Sequence, residues 1–141
     1  MFSQTAEYAL RAVTWLGSSY DEPQTTQQVA EATRIPAGYL SKVLQALGRA
    51  RLVNSQRGLH GGFTLARRPG DITVLDVINA VDPLKRIREC PLGLNTHGKR
   101  LCPLHRRLDD AIAHIESAFS NSTIADILAE PTQSKPLCQS E

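Results

Sequence analysis

One short segment of this 141-residue chain concentrates the residue types that bind metals or undergo redox chemistry. Residues 90–105 read Cys-Pro-Leu-Gly-Leu-Asn-Thr-His-Gly-Lys-Arg-Leu-Cys-Pro-Leu-His, with two of the three cysteines and two of the four histidines. Thiolate and neutral imidazole are ligands of zinc and of the irons in iron–sulfur clusters. The glycines, the histidines and the small apolar content are more typical of a ligand loop than of a packed core.

In a first interpretation, Cys90, His97, Cys102 and His105 form a two-cysteine, two-histidine site. It would bind an iron–sulfur cluster, with the two-iron type favoured, or alternatively zinc. At the start of a helix, the spacing Cys102-x-x-His105 projects both side chains to one side, as shared chelation requires.

Two other interpretations of the same loop need no cofactor. Cys90 and Cys102 could form a reversible disulfide, because a helix N-terminus with Lys99 and Arg100 nearby favours the reactive thiolate. Alternatively, both cysteines are unreactive packing residues, and a protein or a small molecule controls this chain.

The overall composition indicates a globular protein, with 41% hydrophobic and 21% charged residues. No apolar run approaches the roughly 18 residues of a membrane span, and the N-terminus lacks the pattern of a signal peptide. We therefore expect a cytoplasmic protein, in which cysteines serve as thiols, metal ligands or redox switches. The sequence contains no phosphate loop, nucleophile elbow or paired carboxylates, so we do not expect an enzyme.

The charge of the chain is unevenly distributed. Six basic residues and no acidic residue lie between Lys42 and Arg68, whereas six acidic residues and one lysine follow Leu108. This asymmetry favours a polyanion-binding face in the middle of the chain, although an ordinary solvated surface would give the same count.

The basic middle of the chain has the pattern of a helix-turn-helix. A capping box of Thr25 and Gln28 begins a short helix, and Ile35-Pro36 is predicted to end it. A second helix begins at Pro36 or Ala37, and its apolar positions follow the helical repeat i, i+3, i+4, i+7. These positions are Leu40, Val43, Leu44 and Leu47.

A glycine-rich hairpin follows the helix pair. Residues 51–55 and 63–66 are predicted strands, and Gly58, Gly61 and Gly62 between them permit positive backbone angles and close approach to another backbone. A hairpin of this kind, bearing Arg57 and His60 directly behind a helix-turn-helix, is predicted to be a wing.

The rest of the chain is predicted to be helical around the cysteine loop. Residues 4–17 form a helix capped by Ser3 and ended by Gly17, and another helix begins at a capping box of Thr73 and Asp76. A long helix runs from Pro103 to about Ser120, with Cys102 at its N-cap. Its broad apolar stripe predicts a dimerisation helix rather than an internal core helix. The stripe comprises Leu104, Leu108, Ala111, Ile112, Ile115, Ala118 and Phe119.

The expected fold class is mainly α with a small β-hairpin. The expected division is a winged helix-turn-helix domain at 1–83, a Cys/His sensor loop at 84–102, and a dimerisation helix with a following short helix at 103–130. The residues at 131–141 form a Pro/Ser/Gln-rich tail that is expected to be disordered, which makes Cys138 a bystander.

With these elements in this order, residues 1–130 resemble the IscR/NsrR (Rrf-type) family of bacterial winged helix-turn-helix regulators. The segments that carry the resemblance are Glu7-Tyr8-Ala9-Leu10-Arg11-Ala12, Gly38-Tyr39-Leu40, and Leu52 to Gly58 running into Gly61-Gly62-Phe63. The resemblance implies a homodimer that reads a partly palindromic operator in double-stranded DNA. Recognition helices would lie in major grooves and wings in neighbouring minor grooves.

This implied function assigns roles to the exposed polar residues. Ser41, Lys42 and Gln45 could bond base edges or phosphates, with Gln45 suited to adenine and Lys42 to guanine or phosphate. Arg57 and His60 could enter a minor groove on the wing formed with Gly58 and Gly61. Tyr39 is expected to contact the DNA backbone or to pack under the recognition helix.

The resemblance also bears on the cysteine loop. Members with an iron–sulfur cluster usually have three cysteines there, and the spacing of Cys90 and Cys102 matches the outer pair in several of them. His105 resembles a histidine that follows the last cysteine, but Thr96 occupies the expected place of the middle cysteine. Some members complete the cluster with a carboxylate from the partner subunit, which makes Glu7 a further candidate ligand.

These inferences predict a homodimeric DNA-binding transcriptional regulator, a repressor, whose DNA affinity is set by a metal or redox centre at residues 90–105. A cluster-free regulator, switched by a Cys90–Cys102 disulfide or by a protein or small-molecule partner, is the alternative. A protein that does not bind DNA and instead regulates a metabolic enzyme through the dimer face is the rival class.

Overall fold

The computed structural model describes residues 2–95 and 100–137. Its fold is mainly α-helical with one antiparallel hairpin, which confirms the expected class. The elements in chain order are α1 (Gln4–Ser18), α2 (Thr26–Thr33), α3 (Ala37–Arg49), β1 (Val53–Gln56), β2 (Gly62–Leu65), a 3-10 turn (Pro69–Asp71), α4 (Val74–Val81), α5 (Pro103–Ser120) and α6 (Ile124–Ala129).

Side-chain caps set the starts of most helices. The hydroxyl of Ser3 accepts a hydrogen bond from the N–H of Ala6 at 3.1 Å, as predicted for α1. Threonine capping boxes begin three further helices, in the pairs Thr25–Gln28, Thr73–Asp76 and Thr123–Asp126. Each box satisfies backbone N–H groups that have no partner within the helix.

The prediction that Gly17 ends α1 was wrong. The helix continues through Gly17 to Ser18, and Gly17 is buried. A Cβ at this position would lie 3.2 Å from Ile124 Cγ2 and from Leu128 Cδ1. Gly17 therefore allows α6 to pack closely on α1.

The end of α2 also differs from the prediction. The helix ends before Arg34, which adopts a left-handed conformation with φ 57°, and Pro36 instead forms the N-cap of α3. The N–H of Ile35 donates to the carbonyl of Ala30 at 3.1 Å, which closes the last turn. A left-handed residue at a helix end is a usual way to reverse the chain direction.

One core holds α1, α2, α3, the hairpin and α6 together. The apolar positions predicted for α3 are all buried within it: Leu40, Val43, Leu44 and Leu47. Leu65 of the hairpin and Ile124 of α6 belong to the same core. The chain thus returns to the winged helix after α5.

Helix α5 contacts this body on one side and is otherwise open. Asp109 is its one buried residue, Ile112 and Phe119 are half-buried, and the Phe119 ring lies 5.4 Å from that of Phe2. At the other end of the predicted stripe, Leu104 is 61% and Leu108 is 47% exposed.

Residues 84–102 contain no helix or strand among those described, as expected for a loop, and neither do residues 131–137. His97 and Cys138 lie outside the described residues. In the part of the chain that the structure covers, we find no helix with the length and apolar character needed to cross a membrane.

Candidate DNA interface and sensor loop

The outer side of α3 presents the predicted base-reading residues. Ser41, Lys42 and Gln45 are all exposed, because burial of the apolar positions turns the intervening residues outward. The Ser41 hydroxyl donates to the carbonyl of Ala37 at 3.2 Å. The amine of Lys42 and the amide of Gln45 offer groups suited to phosphate and base edges.

Tyr39 lies where α3 meets α1. Its hydroxyl hydrogen-bonds that of Thr5, and its ring meets the ring of Tyr8 edge-on at 5.2 Å between centroids. The residue is nevertheless 39% exposed. Tyr39 therefore positions the start of the recognition helix against α1 and keeps part of its ring accessible.

The wing carries its basic residues on the loop between β1 and β2. Arg57 and His60 are exposed, and the N–H of Gly61 donates to the carbonyl of Gly58 at 3.0 Å across the turn. Gly58 has φ 111°, and a Cβ at Gly61 would overlap the carbonyl of Gln56. These positions need glycine, as predicted for the hairpin.

The base of the wing is joined to the loop before α2. The N–H of Gln24 donates to the carbonyl of Phe63 at 3.1 Å, and the N–H of Phe63 donates to the carbonyl of Gln24 at 2.7 Å. The indole N–H of Trp15 donates to the side-chain oxygen of Gln24 at 2.6 Å. Sequence reasoning missed Gln24, because a pairing this distant along the chain leaves no local pattern.

The basic residues counted from the sequence are available at the surface. All six are exposed in the fold: Lys42, Arg49, Arg51, Arg57, Arg67 and Arg68. Helix α3, the hairpin and the segments next to them therefore supply cations that could neutralise the phosphates of a DNA backbone.

At the junction of the 84–102 loop with α5, the structure brings two of the predicted ligands together. Cys102 is the N-cap of α5, is half-buried and has a free thiol. Its Sγ lies 3.3 Å from Nδ1 of His105, one turn into the helix. A thiol and an imidazole in contact at the start of a helix fit either shared metal ligation or a thiol available for oxidation.

Of the other predicted ligands, the structure describes Cys90 and Glu7 but not His97. Cys90 is half-buried in a turn closed by the N–H of Gly93, which donates to the Cys90 carbonyl at 2.9 Å. Glu7 is exposed on α1. Among residues 2–95 and 100–137 of one chain, no three Cys, His, Asp or Glu side chains are grouped to hold a metal ion.

Glu7 is linked to the helix-turn-helix through Arg11. The Arg11 guanidinium donates to the Glu7 carboxylate at 2.9 Å and to the carbonyl of Thr33 at the end of α2 at 3.2 Å. It also lies 5.2 Å from the centroid of the Tyr8 ring, which contacts Tyr39. Sequence reasoning missed Arg11, although its spacing of four from Glu7 is typical of a helical ion pair.

A second ionic contact joins the 84–102 loop to α5. Arg86 donates to the two carboxylate oxygens of Asp109 at 2.7 and 2.8 Å and to Glu116 at 3.3 Å. The backbone N–H of Ile87 donates to the same Asp109 carboxylate at 2.8 Å. The hydrogen bonds from Arg86, and then from Ile87, lower the pKa of Asp109 from 3.8 to about 2 despite its burial.

We expect Asp109→Asn to destabilise the protein at neutral pH, because the amide cannot accept both guanidinium hydrogen bonds with the strength of a carboxylate. The Asp109 pKa is lowered by folding, so its contribution to stability is complete well above the unfolded pKa of 3.8 and is lost as the pH falls through the folded pKa of about 2. Urea unfolding at several pH values should therefore show a difference between the two proteins that shrinks below pH 4. Asp110→Asn, at the exposed neighbouring position, is the matched control. A constant difference across this range would contradict the role of the carboxylate charge.

Comparison with known proteins places this arrangement in a family. Residues 2–130 match the family described as "Rrf2: Iron-dependent Transcriptional regulator". The regulator NsrR of Geobacillus kaustophilus (strain HTA426) is 30% identical over 130 residues, covering 88% of this chain and 86% of that protein.

Solved structures agree with this relationship. IscR of T. potens is 25% identical, with a TM-score of 0.76 over 95% of this chain and 93% of that one. CymR, the global cysteine regulator of B. subtilis, shares the fold at 23% identity, with a TM-score of 0.75 over 90% of this chain and 95% of that one. This chain therefore belongs to the Rrf2 family of DNA-binding transcriptional regulators, a family of regulators and not of enzymes.

Proposed function

We propose that this regulator acts as a homodimeric repressor whose affinity for its operator is controlled at residues 90–105. The observation that carries the proposal is the contact of Cys102 Sγ with His105 Nδ1 at the start of α5. It places two soft, chemically reactive donors on the helix that also bears the exposed leucines.

The DNA contacts in this proposal divide between the recognition helix and the wing. Ser41, Lys42 and Gln45 would contact base edges and phosphates in a major groove. Arg57 and His60 would lie in the adjacent minor groove, where negative potential attracts cations. Tyr39 would contact a phosphate with the exposed part of its ring edge while it holds α3 against α1.

The dimer in this proposal forms through α5. The side chains of Leu104 and Leu108 are exposed to water, and a second copy of the helix would bury their apolar surface. In this arrangement residues 1–83 bind DNA, residues 84–102 sense, and residues 103–130 join the two copies. A two-fold dimer matches a partly palindromic operator.

The donor set fits an iron–sulfur or zinc centre at the pair Cys102 and His105. Cys90 and His97 of the same chain would complete a set of four ligands, and the partner's Glu7 is a further candidate ligand. Such a centre, when bound, supplies a redox-active or removable cross-link between the loop, the start of α5 and α1 of the partner subunit. Within the chain, Arg86 holds the start of the loop on α5 through Asp109.

A change at the ligands would affect the DNA-binding helices through the contacts of Arg11. If the Glu7 carboxylate is used as a ligand, its ion pair with Arg11 is weakened. Arg11 also bonds the carbonyl of Thr33 and lies over the ring of Tyr8, which contacts Tyr39. A change at Glu7 would therefore alter the support of both helices of the helix-turn-helix.

A thiol switch is the second candidate. Cys102 is a half-buried thiol without a disulfide at the N-cap of α5, and eleven residues of the chain separate it from Cys90. Oxidation by a peroxide would join Cys90 Sγ to Cys102 Sγ with the loss of two protons and two electrons, which the peroxide takes up to form water or an alcohol and water.

Purification without oxygen, followed by a visible spectrum and assays of iron, sulfide and zinc, tests the proposal. We expect bound metal in the unsubstituted protein, with its loss in Cys102→Ser and a decrease in His105→Ala. His114→Ala, exposed further along the same helix, is the matched control and should bind metal normally. If the protein is metal-free, peroxide treatment tests the thiol switch. A change in DNA affinity that requires both Cys90 and Cys102 would support the thiol switch instead. Metal-free protein with no response to peroxide would contradict both.

A further inference from the structure

The tip of the wing carries a large apolar side chain, Leu59, that is almost fully exposed. It is 95% exposed, the largest value among the large hydrophobic residues of the described chain that lie at the surface. A single exposed leucine is ordinary on a protein surface and indicates nothing by itself. The surroundings of Leu59 are what make its exposure informative.

The backbone on both sides of Leu59 is held in one shape. Gly58 adopts φ 111°, and the hydrogen bond from Gly61 N–H to the Gly58 carbonyl closes the turn beneath Leu59. Below the turn, the paired hydrogen bonds of Gln24 and Phe63 tie the hairpin to the domain. The exposure of Leu59 is thus a consequence of a constrained turn that presents the side chain outward.

The neighbours of Leu59 indicate what could cover it. Arg57 and His60 flank the tip, and no acidic residue occurs between Lys42 and Arg68. The cationic Arg57 beside an apolar side chain, in a segment without acidic residues, disfavours a basic or purely apolar partner and is complementary to DNA. The minor groove offers such a surface, since phosphates line its rims and deoxyribose C–H groups line its walls.

We infer that Leu59 enters the minor groove of the operator as an apolar contact and favours A·T over G·C pairs at that position. In the minor groove, A·T pairs present only acceptors, whereas G·C adds the 2-amino group of guanine. That group narrows the space above the floor of the groove and would lose hydration against an aliphatic side chain. This inference rests on the DNA-binding role proposed above for the wing and adds a residue that selects sequence without hydrogen bonds.

A set of duplexes tests this inference directly. The unsubstituted protein first selects a duplex from a random-sequence library, and footprinting locates the minor-groove positions that the wing protects. Each protected pair is then made A·T, G·C or inosine·C, because inosine lacks the 2-amino group but resembles guanine in the major groove. We expect the A·T and inosine·C duplexes to bind alike and the G·C duplex to bind more weakly.

Variants at the wing separate this contact from phosphate binding. Leu59→Ala should weaken binding to the A·T duplex by about fivefold to tenfold and remove the difference between duplexes, since most of the apolar contact is lost. Its salt dependence should stay unchanged. Arg57→Ala removes one cation from each copy of the homodimer, so the slope of log affinity against log salt should become less steep by about two. Leu59→Met, which keeps an aliphatic chain, should retain the preference.

The outcomes distinguish the inference from the function on which it rests. Failure of the unsubstituted protein to select any duplex would overturn the DNA-binding role and this inference together. Normal selection with equal binding by Leu59→Ala would overturn the inference alone. Weaker binding of the inosine·C duplex, equal to that of G·C, would also overturn it, because the discrimination would then lie in the major groove.

Discussion

Replacing both Leu104 and Leu108 with glutamate is expected to produce a monomer. The operator affinity should then fall by about 10²- to 10⁴-fold, because the monomer loses the gain in affinity that comes from linking two binding modules. The two leucines are 61% and 47% exposed on the first turns of α5. Four carboxylates brought together in a dimer would repel one another and lose their hydration. Sedimentation measures the oligomeric state, and titration of a duplex with one or two half-sites measures the affinity.

A glutamate elsewhere on α5 controls for added charge. Ser117 is exposed on the same helix, and Ser117→Glu should leave both the oligomeric state and the operator affinity close to those of the unsubstituted protein. The helix content of the leucine variant, measured by circular dichroism, should be little changed, since neither side chain belongs to the core of one chain. A double variant that remains dimeric would show that α5 is not the interface.

Gly62→Ala is expected to destabilise the protein by about 2–4 kcal/mol, from backbone strain together with lost hydrogen bonds. Gly62 has φ 149°, and a Cβ there would lie 2.5 Å from the carbonyl carbon and oxygen of Gln24. The clash would break the paired hydrogen bonds between Gln24 and Phe63 that hold the wing. Urea unfolding measures the free-energy change.

The same variant should bind operator about tenfold more weakly or worse, because displacement of the wing removes contacts each worth roughly 1–3 kcal/mol. Gly70→Ala is the matched control, since a Cβ at Gly70 would make only ordinary van der Waals contact, at 3.8 Å from Ala125 Cβ. A Gly62→Ala protein of normal stability and affinity would show that the hairpin can move away from Gln24 without cost.

The elements that sequence alone predicted are those set by neighbours along the chain. The capping boxes of Thr25 and Thr73 each involve a partner three residues away, so their signal is local and survives in the sequence. The recognition helix was predicted because its buried leucines and valine follow the helical repeat. The glycines of the wing were recognised because their spacing marks a tight hairpin.

The candidate sensor was predicted in part. Cys102 at the N-cap of α5 and His105 one turn later are close for the same local reason, and the structure brings them into contact. The position of Cys90 relative to this pair depends on the path of a loop without regular structure, so spacing could not predict it.

Tertiary structure decided the contacts between distant segments. Gly17 is a close-packing residue and not a helix end because Ile124 and Leu128 return to it from more than a hundred residues away. Gln24 pairs with Phe63, and Arg86 with Asp109, through geometry that no local periodicity encodes. The sequence by itself thus determined the helices, the wing and the reactive residue types. Only packing of those elements decided which side chains meet, because such contacts depend on the relative placement of whole segments.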